Sequence, residues 1–222
     1  MDECRYQFKW ERWNCPDTDL PLVQQNMYLR VNRETAYLQS INSAGVMYTL
    51  TEKCSTGVNK ICGCDFSRNG KKGGYNWQWG GCSDNIKYGE SMTKRFLDAM
   101  ISGKDAHAAM NRQNNGAGRK AVKKTARLIC KCHGVSGSCS VRTCWQQLAK
   151  FRSVGFYLKR KYRKAIHVNF YGGKLEGNEA RGMKMSLFSD KDLVFLEKSP
   201  DYCKQNFTFG TKGTVGRECS QY

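Results

Sequence analysis

The apolar positions form helical stripes, interrupted by stretches where the helical period is lost. Over residues 29–53, Tyr37, Ile41, Ala44 and Tyr48 recur at helical spacing. Leu38 and Met47 widen that stripe, which predicts an amphipathic helix ending before Cys54. Residues 54–82 carry no such period. Cys54, Cys62, Cys64 and Cys82 surround Asn69-Gly70 and Gly73-Gly74, and Trp77-Gln78-Trp79 alternates as a strand does. Asn-Gly suits a type I′ turn because both positions tolerate positive φ. The stretch therefore reads as a stapled hairpin, with a loose disulfide loop as the alternative. The helical period returns at Met92, Phe96 and Met100, beside Leu97 and Ile101. Ser83 or Asp84 is the expected cap of that helix and Gly103 the expected stop. Residues 104–129 predict a further helix, apolar along Ala121, Val122, Ala126 and Ile129, with Asn114-Asn115-Gly116 as its weak point. After Cys144, Trp145, Leu148, Phe151, Gly155 and Leu158 repeat every three or four residues and predict another. Residues 165–190, rich in Gly and Lys, read as a flexible excursion, and Leu193-Val194-Phe195-Leu196 as a short apolar strand. The pattern as a whole gives a mainly α fold, a disulfide-stapled helical bundle with projecting β-hairpins.

Cysteine usage places the chain in an oxidising compartment. There are 12 cysteines in 222 residues, dense for a cytosol that keeps thiols reduced. Zinc is the rival explanation, but it favours repeated C-x2-C pairs. Here Cys62-Gly63-Cys64 and Cys130-Lys131-Cys132 have one intervening residue. Disulfides imply secretion, yet residues 1–20 hold no signal peptide. The chain also stops just after Cys219. Both observations lead to the expectation of a fragment. No run of apolar residues is long enough to span a membrane.

The net charge of +18 favours polyanionic partners and opposes self-association. Outside the cell that polyanion is a sulfated glycosaminoglycan such as heparan sulfate, rather than nucleic acid. Two clusters stand out. Arg119, Lys123 and Arg127 fall four apart on the helix predicted over 104–129, beside Lys120 and Lys124. Lys159, Arg160, Lys161, Arg163 and Lys164 end the helix predicted after Cys144. Basic residues there complement the helix dipole, but five exceed what a cap needs.

The densest chemistry lies at Cys130-x-Cys132-x6-Cys139-x4-Cys144. If the inner and outer pairs each bond, the segment is a doubly stapled hairpin with Ser138 on a tip of small residues. Gly134-Val135-Ser136-Gly137-Ser138 misses the G-x-S-x-G nucleophile elbow by one residue. Nothing in the sequence visibly orients His133, one of three histidines. Paired carboxylates, phosphate-binding loops and metal sites are absent, so no enzymatic activity is expected. An acyl acceptor needs only an exposed hydroxyl, because the transferase supplies the base. On spacing alone, Ser138 still reads as an ordinary turn serine. Asn206-Phe207-Thr208 is a glycosylation sequon.

Lys131 to Trp145, KCHGVSGSCSVRTCW, resembles the signature of the Wnt secreted signalling proteins. The likeness extends along the chain through Phe8-Lys9-Trp10-Glu11-Arg12-Trp13-Asn14-Cys15, Arg33-Glu34-Thr35-Ala36 and Ser43-Ala44-Gly45-Val46-Met47-Tyr48. It continues through Trp79 to Asn85, Asn114 to Arg119, Ser199 to Cys203 and Gly213 to Cys219. The resemblance implies the pairs Cys4–Cys15, Cys54–Cys62, Cys64–Cys82, Cys130–Cys144 and Cys132–Cys139. It implies that Cys203 and Cys219 each pair with a partner outside this chain, in the family's cysteine-rich C-terminal domain, which carries a second receptor-contacting finger. Residues 1–190 are then the helical N-terminal domain, with its acyl-bearing hairpin at 130–144. Residues 191–222 are a linker and the start of the C-terminal region. The resemblance also implies a monounsaturated fatty acyl group on Ser138 and no other cofactor. The presenting hairpin comprises Lys131, His133, Gly134, Val135, Ser136, Gly137 and Ser138. The expected partners are the cysteine-rich domain of a Frizzled receptor, a co-receptor related to the LDL receptor, the transferase Porcupine and the carrier Wntless. A secreted glycosaminoglycan-binding antagonist or carrier, without receptor activation, is the alternative.

Overall fold

The computed structural model describes residues 1–15, 30–58, 60–177, 188–206 and 211–218. Five α-helices lie among them: α1 (Asp2–Phe8), α2 (Arg33–Ser55), α3 (Ile86–Ala99), α4 (Ala106–Thr125) and α5 (Phe151–Arg163). Helix α2 is the central post, packed against α3, α4 and α5. Asn32 caps it, its side chain accepting from Thr35 N at 2.9 Å. A Cβ on Gly118 would sit 2.0 Å from the Ser40 carbonyl, and Ser43 Oγ donates to the Asn115 carbonyl at 2.9 Å. Helices α2 and α4 thus cross almost backbone to backbone. The expected stripe of α2 is its buried side, with Tyr37, Leu38, Ile41, Ala44 and Met47 in the core. Phe8 of α1 meets Trp13, Tyr37 and Tyr162 edge-on, with centroids 4.6, 4.7 and 4.8 Å away. Burying each such ring contributes roughly 1.5–3 kcal/mol.

Several boundaries differ from the sequence reading. Asn85, not Ser83 or Asp84, caps α3 by accepting from Tyr88 N at 3.1 Å. Ser83 and Asp84 are spent on another element: Ser83 Oγ accepts from Gln146 N and Asp84 Oδ2 from Leu148 N. Helix α3 ends at Ala99, ahead of Gly103. Its Met92, Phe96 and Met100 are exposed, while Ile86, Gly89 and Thr93 face inward. Helix α4 runs unbroken through Asn114-Asn115-Gly116 and stops at Thr125. Asn114 is buried there and bonds both ways to Val194, donating to its carbonyl and accepting from its amide, each at 3.0 Å. A polar side chain that looked like a break is a bridge. The helix expected after Cys144 begins only at Phe151, because Trp145 still lies in a strand.

The two cysteine-rich stretches merge into one sheet. Strands β1 (Lys72–Gly74), β2 (Trp77–Trp79), β3 (Arg127–Cys132) and β4 (Arg142–Gln147) take the order β1-β2-β4-β3. The β1–β2 hairpin turns at Tyr75-Asn76, where Asn76 has φ 58°, not at Asn69-Gly70. Gly73 has a packing role instead: a Cβ there would fall 2.0 Å from the Trp77 indole. The stretch from 165 is not wholly an excursion. β5 (Ile166–Tyr171) and β6 (Lys174–Gly177) form a hairpin over Gly172-Gly173, both at positive φ. Residues 178–187 lie outside the described residues. The apolar strand at 193–196 is found as β7 (Val194–Phe195), paired in parallel with β5.

Two polar clamps tie the last described segments to the bundle. Buried Glu34, in the first turn of α2, accepts from Tyr162 at 2.8 Å, Ser199 at 2.6 Å and Tyr202 at 3.1 Å. Burial, reinforced by the Glu34 carboxylate, pushes the Tyr162 and Tyr202 phenols well above the ordinary tyrosine range. Arg217 donates to the carbonyls of Lys9, Glu11 and Arg12, fixing the turn after α1. A last hairpin, β8 (Gln205–Asn206) with β9 (Thr211–Lys212), follows Cys203, which forms no disulfide among the described residues. Cys219, for which the resemblance likewise implies a partner in the C-terminal domain, lies outside the described residues, as do Phe207 and Thr208 of the sequon.

Candidate functional site

Strands β3 and β4 form the stalk of a finger. They are antiparallel, with Cys130 directly opposite Cys144, and the two are disulfide-bonded. Strand β2 joins β4 in parallel, placing Trp79 beside Cys144 on the other flank. The stalk is thereby part of a sheet, not a free ribbon, and a two-stranded ribbon alone is marginal in water. The remaining pairs are Cys4–Cys15, Cys54–Cys62, Cys64–Cys82 and Cys132–Cys139, those implied by the resemblance. The last closes the tip.

Within the tip, four backbone hydrogen bonds define the turn. His133 N donates to Val141 O and Gly134 N to Ser138 O, each at 2.8 Å. Gly137 N donates to Gly134 O at 2.9 Å and Ser138 N to Val135 O at 3.1 Å. Val135–Gly137 is a single 3-10 turn whose last two residues take φ 55° and 76°. Glycine adopts that region freely at 137, whereas Ser136 does so at about 1–2 kcal/mol. These four bonds fix the turn, and the tip presents mostly small side chains outward. Lys131, His133, Val135, Ser136, Gly137 and Ser138 are all exposed, and Val135 is 89% exposed. Gly134 is half-buried: a Cβ there would lie 2.0 Å from Ser138 Oγ and 2.2 Å from Ser140 Oγ.

Ser138 Oγ pairs with Ser140 Oγ at 3.2 Å. No imidazole or carboxylate reaches it among the described residues. The hydroxyl is displayed but not activated, which suits an acceptor and not a nucleophile. The sequence alone does not mark Ser140. Its signal is the two-residue offset that brings it alongside Ser138 at the neck of the turn. No cluster of three potential metal ligands exists among the described residues, and no helix there is long and apolar enough to cross a membrane.

The two basic clusters do not survive as continuous faces. Arg119 is 6% exposed and turned inward, 3.8 Å from Asp98. Lys120 pairs with Asp190, and Lys123 with Glu90 at 2.8 Å. Arg127 sits on β3 because α4 has already ended. Lys159 is 5% exposed, its ammonium 3.3 Å from the Phe8 ring centroid and 2.7 Å from Glu11. Burial pushes its pKa down, while Glu11 favours the charged form. Lys161 pairs with Asp192 at 2.8 Å. Lys124, Arg127, Arg160 and Lys164 remain exposed without a carboxylate partner among the described residues. Two predicted glycosaminoglycan contacts, Arg119 and Lys159, are therefore core residues: each lies on the helix side that meets the bundle, which charge alone does not reveal.

Fold and finger together define a disulfide-built helical domain that holds an unactivated serine on a stapled tip. The chain belongs to the Wnt family, which it matches over residues 1–222. It is 54% identical to Protein Wnt-8b of Mus musculus over 222 residues, covering 99% of this chain and 63% of that protein. It is 52% identical to Protein Wnt-8 of Xenopus laevis over 227 residues, covering 63% of that one. The chain thus spans a little under two thirds of the relatives it matches. Among solved structures, WNT8A in the complex of human WLS with WNT8A matches with TM-score 0.75 and 46% identity, over 99% of this chain and 70% of that one. The Drosophila WntD N-terminal domain-linker matches with TM-score 0.61 and 25% identity, over 91% and 92%.

Proposed function

We propose that this chain is the finger-bearing portion of a secreted, non-enzymatic Wnt ligand whose contact group is a monounsaturated fatty acyl chain on Ser138. The observation that carries the reading is the tip itself: an exposed serine hydroxyl on a thin protrusion braced by two disulfides. A transferase of the Porcupine type can enclose such a tip without unfolding it. Burying a CH₂ contributes ~0.8 kcal/mol, so a sixteen-carbon chain supplies on the order of 10 kcal/mol gross in a receptor groove. That exceeds what a tip of small residues offers by direct contact. The groove in this reading belongs to the cysteine-rich domain of a Frizzled receptor, with an LDL-receptor-related co-receptor completing the complex. One acyl chain gives only marginal membrane binding, so a carrier is needed, and the WLS complex of the similar WNT8A supports Wntless in that role. A glycan on Asn206 and heparan sulfate contacts at the exposed cations belong to the same extracellular reading.

The test is peptide mass spectrometry of protein secreted from cells that express the transferase. The tip peptide is expected to carry one acyl group on Ser138, and Ser138→Ala to abolish reporter signalling. An unmodified tip in signalling-competent protein would sink the proposal.

A further inference from the structure

The cleft between α1 and α5 lies on residues that the finger does not use. It has a volume of about 460 Å³ and is lined on one side by α1 and the turn after it, and on the other by α5. Three aromatic side chains stand in it half-exposed, Tyr6 at 52%, Trp10 at 50% and Phe156 at 52%. None belongs to the hydrophobic core. Tyr6 and Phe156 already meet edge-on at 6.4 Å, so an incoming ring or aliphatic group finds a partly ordered platform.

Cations surround that platform. On α5, Phe156, Arg160 and Arg163 follow each other at helical spacing on one face. Lys9 lies over the Trp10 ring at 4.5 Å. Lys9 and Arg160 have no carboxylate partner among the described residues. Glu11 is the acid nearby, already held by Lys159 at 2.7 Å and lying 3.9 Å from Arg163. Glu3 is likewise engaged by Arg152 at 3.0 Å. The rim is therefore left with positive charge to answer.

The wall is built, not loose. Cys4–Cys15 staples α1 to the turn that follows it, and the Arg217 guanidinium holds the carbonyls of Lys9, Glu11 and Arg12. A pre-formed aromatic cleft rimmed by arginines has the composition of a protein-binding hot spot, where Trp, Tyr and Arg are enriched. A polysaccharide or lipid headgroup would be served by the cations alone. The three half-exposed rings add a place for an apolar side chain.

We propose that this cleft binds an acidic peptide segment of a partner protein, one apolar anchor residue seated on Tyr6, Trp10 and Phe156 with flanking carboxylates on Lys9, Arg160 and Arg163. The proposal is independent of Ser138.

The probe is a short fluorescein-labelled peptide with a Trp-Leu centre between runs of glutamate, titrated against the secreted full-length protein by fluorescence anisotropy. Trp10→Ala is expected to weaken binding about tenfold or more, the scale of a hot-spot truncation. Arg160→Glu with Arg163→Glu is expected to weaken it at least as much. A peptide with Ser-Gly in place of Trp-Leu is expected to bind as weakly as the Trp10→Ala variant binds the parent peptide. Ser138→Ala is expected to leave peptide binding unchanged. Circular dichroism of each variant confirms that the surface substitutions leave the fold intact. Equal binding of both peptides would overturn the proposal, because the rings would then contribute nothing. So would Trp10-dependent binding of a heparin oligosaccharide or of phosphatidylserine vesicles without binding of the peptide.

Discussion

Room at the tip is set by one residue. A side chain at Gly134 would collide with Ser138 Oγ and Ser140 Oγ and with the Ser138 carbonyl that Gly134 N itself bonds. Gly134→Ala is therefore expected to displace Ser138 and, under the proposed acylation, to lower acyl occupancy several-fold, read from the ratio of modified to unmodified tip peptide. Overall melting should change little, since the tip buries almost nothing. Unchanged occupancy would mean that the transferase tolerates a rearranged turn. Asn114 makes the opposite case: it lies far from the finger and carries much stability. Asn114→Ala strands the Val194 amide and carbonyl in a buried site, and each unsatisfied group costs about 1–3 kcal/mol. A loss of roughly 2–4 kcal/mol in urea unfolding, with acylation unchanged in whatever protein is secreted, is the expected result. The identity of both residues is plain in the sequence, but their consequence is not. Gly134 reads as one of several turn glycines, and Asn114 reads as a helix breaker until its partner strand is known.

Elements divide by the range of the interactions that fix them. The long helices are legible because their apolar stripes are local, and α2 lies within two residues of its expected end. The strands that build the finger are less so. Trp145 and Leu148 fit a helical stripe with Phe151, yet Trp145 is in β4 because Ile129 lies opposite it. Pairing across the hairpin outweighs a period shared by chance. The β1–β2 hairpin is legible as an element but not in register. Asn69-Gly70 carries the stronger turn signal, yet the chain reverses at Tyr75-Asn76, where Gly73 leaves space for the Trp77 indole. The surviving basic surface is an element-level outcome as well. Lys124→Glu with Arg127→Glu is expected to elute from heparin at lower salt, since both side chains are exposed. Arg119→Glu would instead bury a second carboxylate beside half-buried Asp98. It is expected to cost about 3–5 kcal/mol, seen as lost secretion; normal yield with weakened heparin binding would restore Arg119 to the surface.

Across the whole molecule, the clamp on Glu34 gathers three hydroxyl donors from residues 128, 165 and 168 positions away in sequence. Tyr162 and Tyr202 hold their protons more tightly folded than unfolded. Their contribution is complete below the unfolded tyrosine pKa of about 10. It falls as pH rises past that value, where the unfolded chain releases protons first. Unfolding free energy should decline from pH 10 upward, and Tyr202→Phe should make that decline shallower. An unaltered slope would show that the clamp does not hold the phenol neutral. By itself the sequence determined the mainly helical class, the cysteine density and the small-residue serine segment between cysteines, because these rest on composition and short spacings. The family likeness in the sequence supplied the disulfide partners. Only the tertiary structure decided that the two cysteine-rich stretches share one sheet, that Arg119 and Lys159 lie inside, and that α1 and α5 leave an aromatic cleft. Each of these depends on which faces meet across long separations, and a residue's type does not state what will lie opposite it.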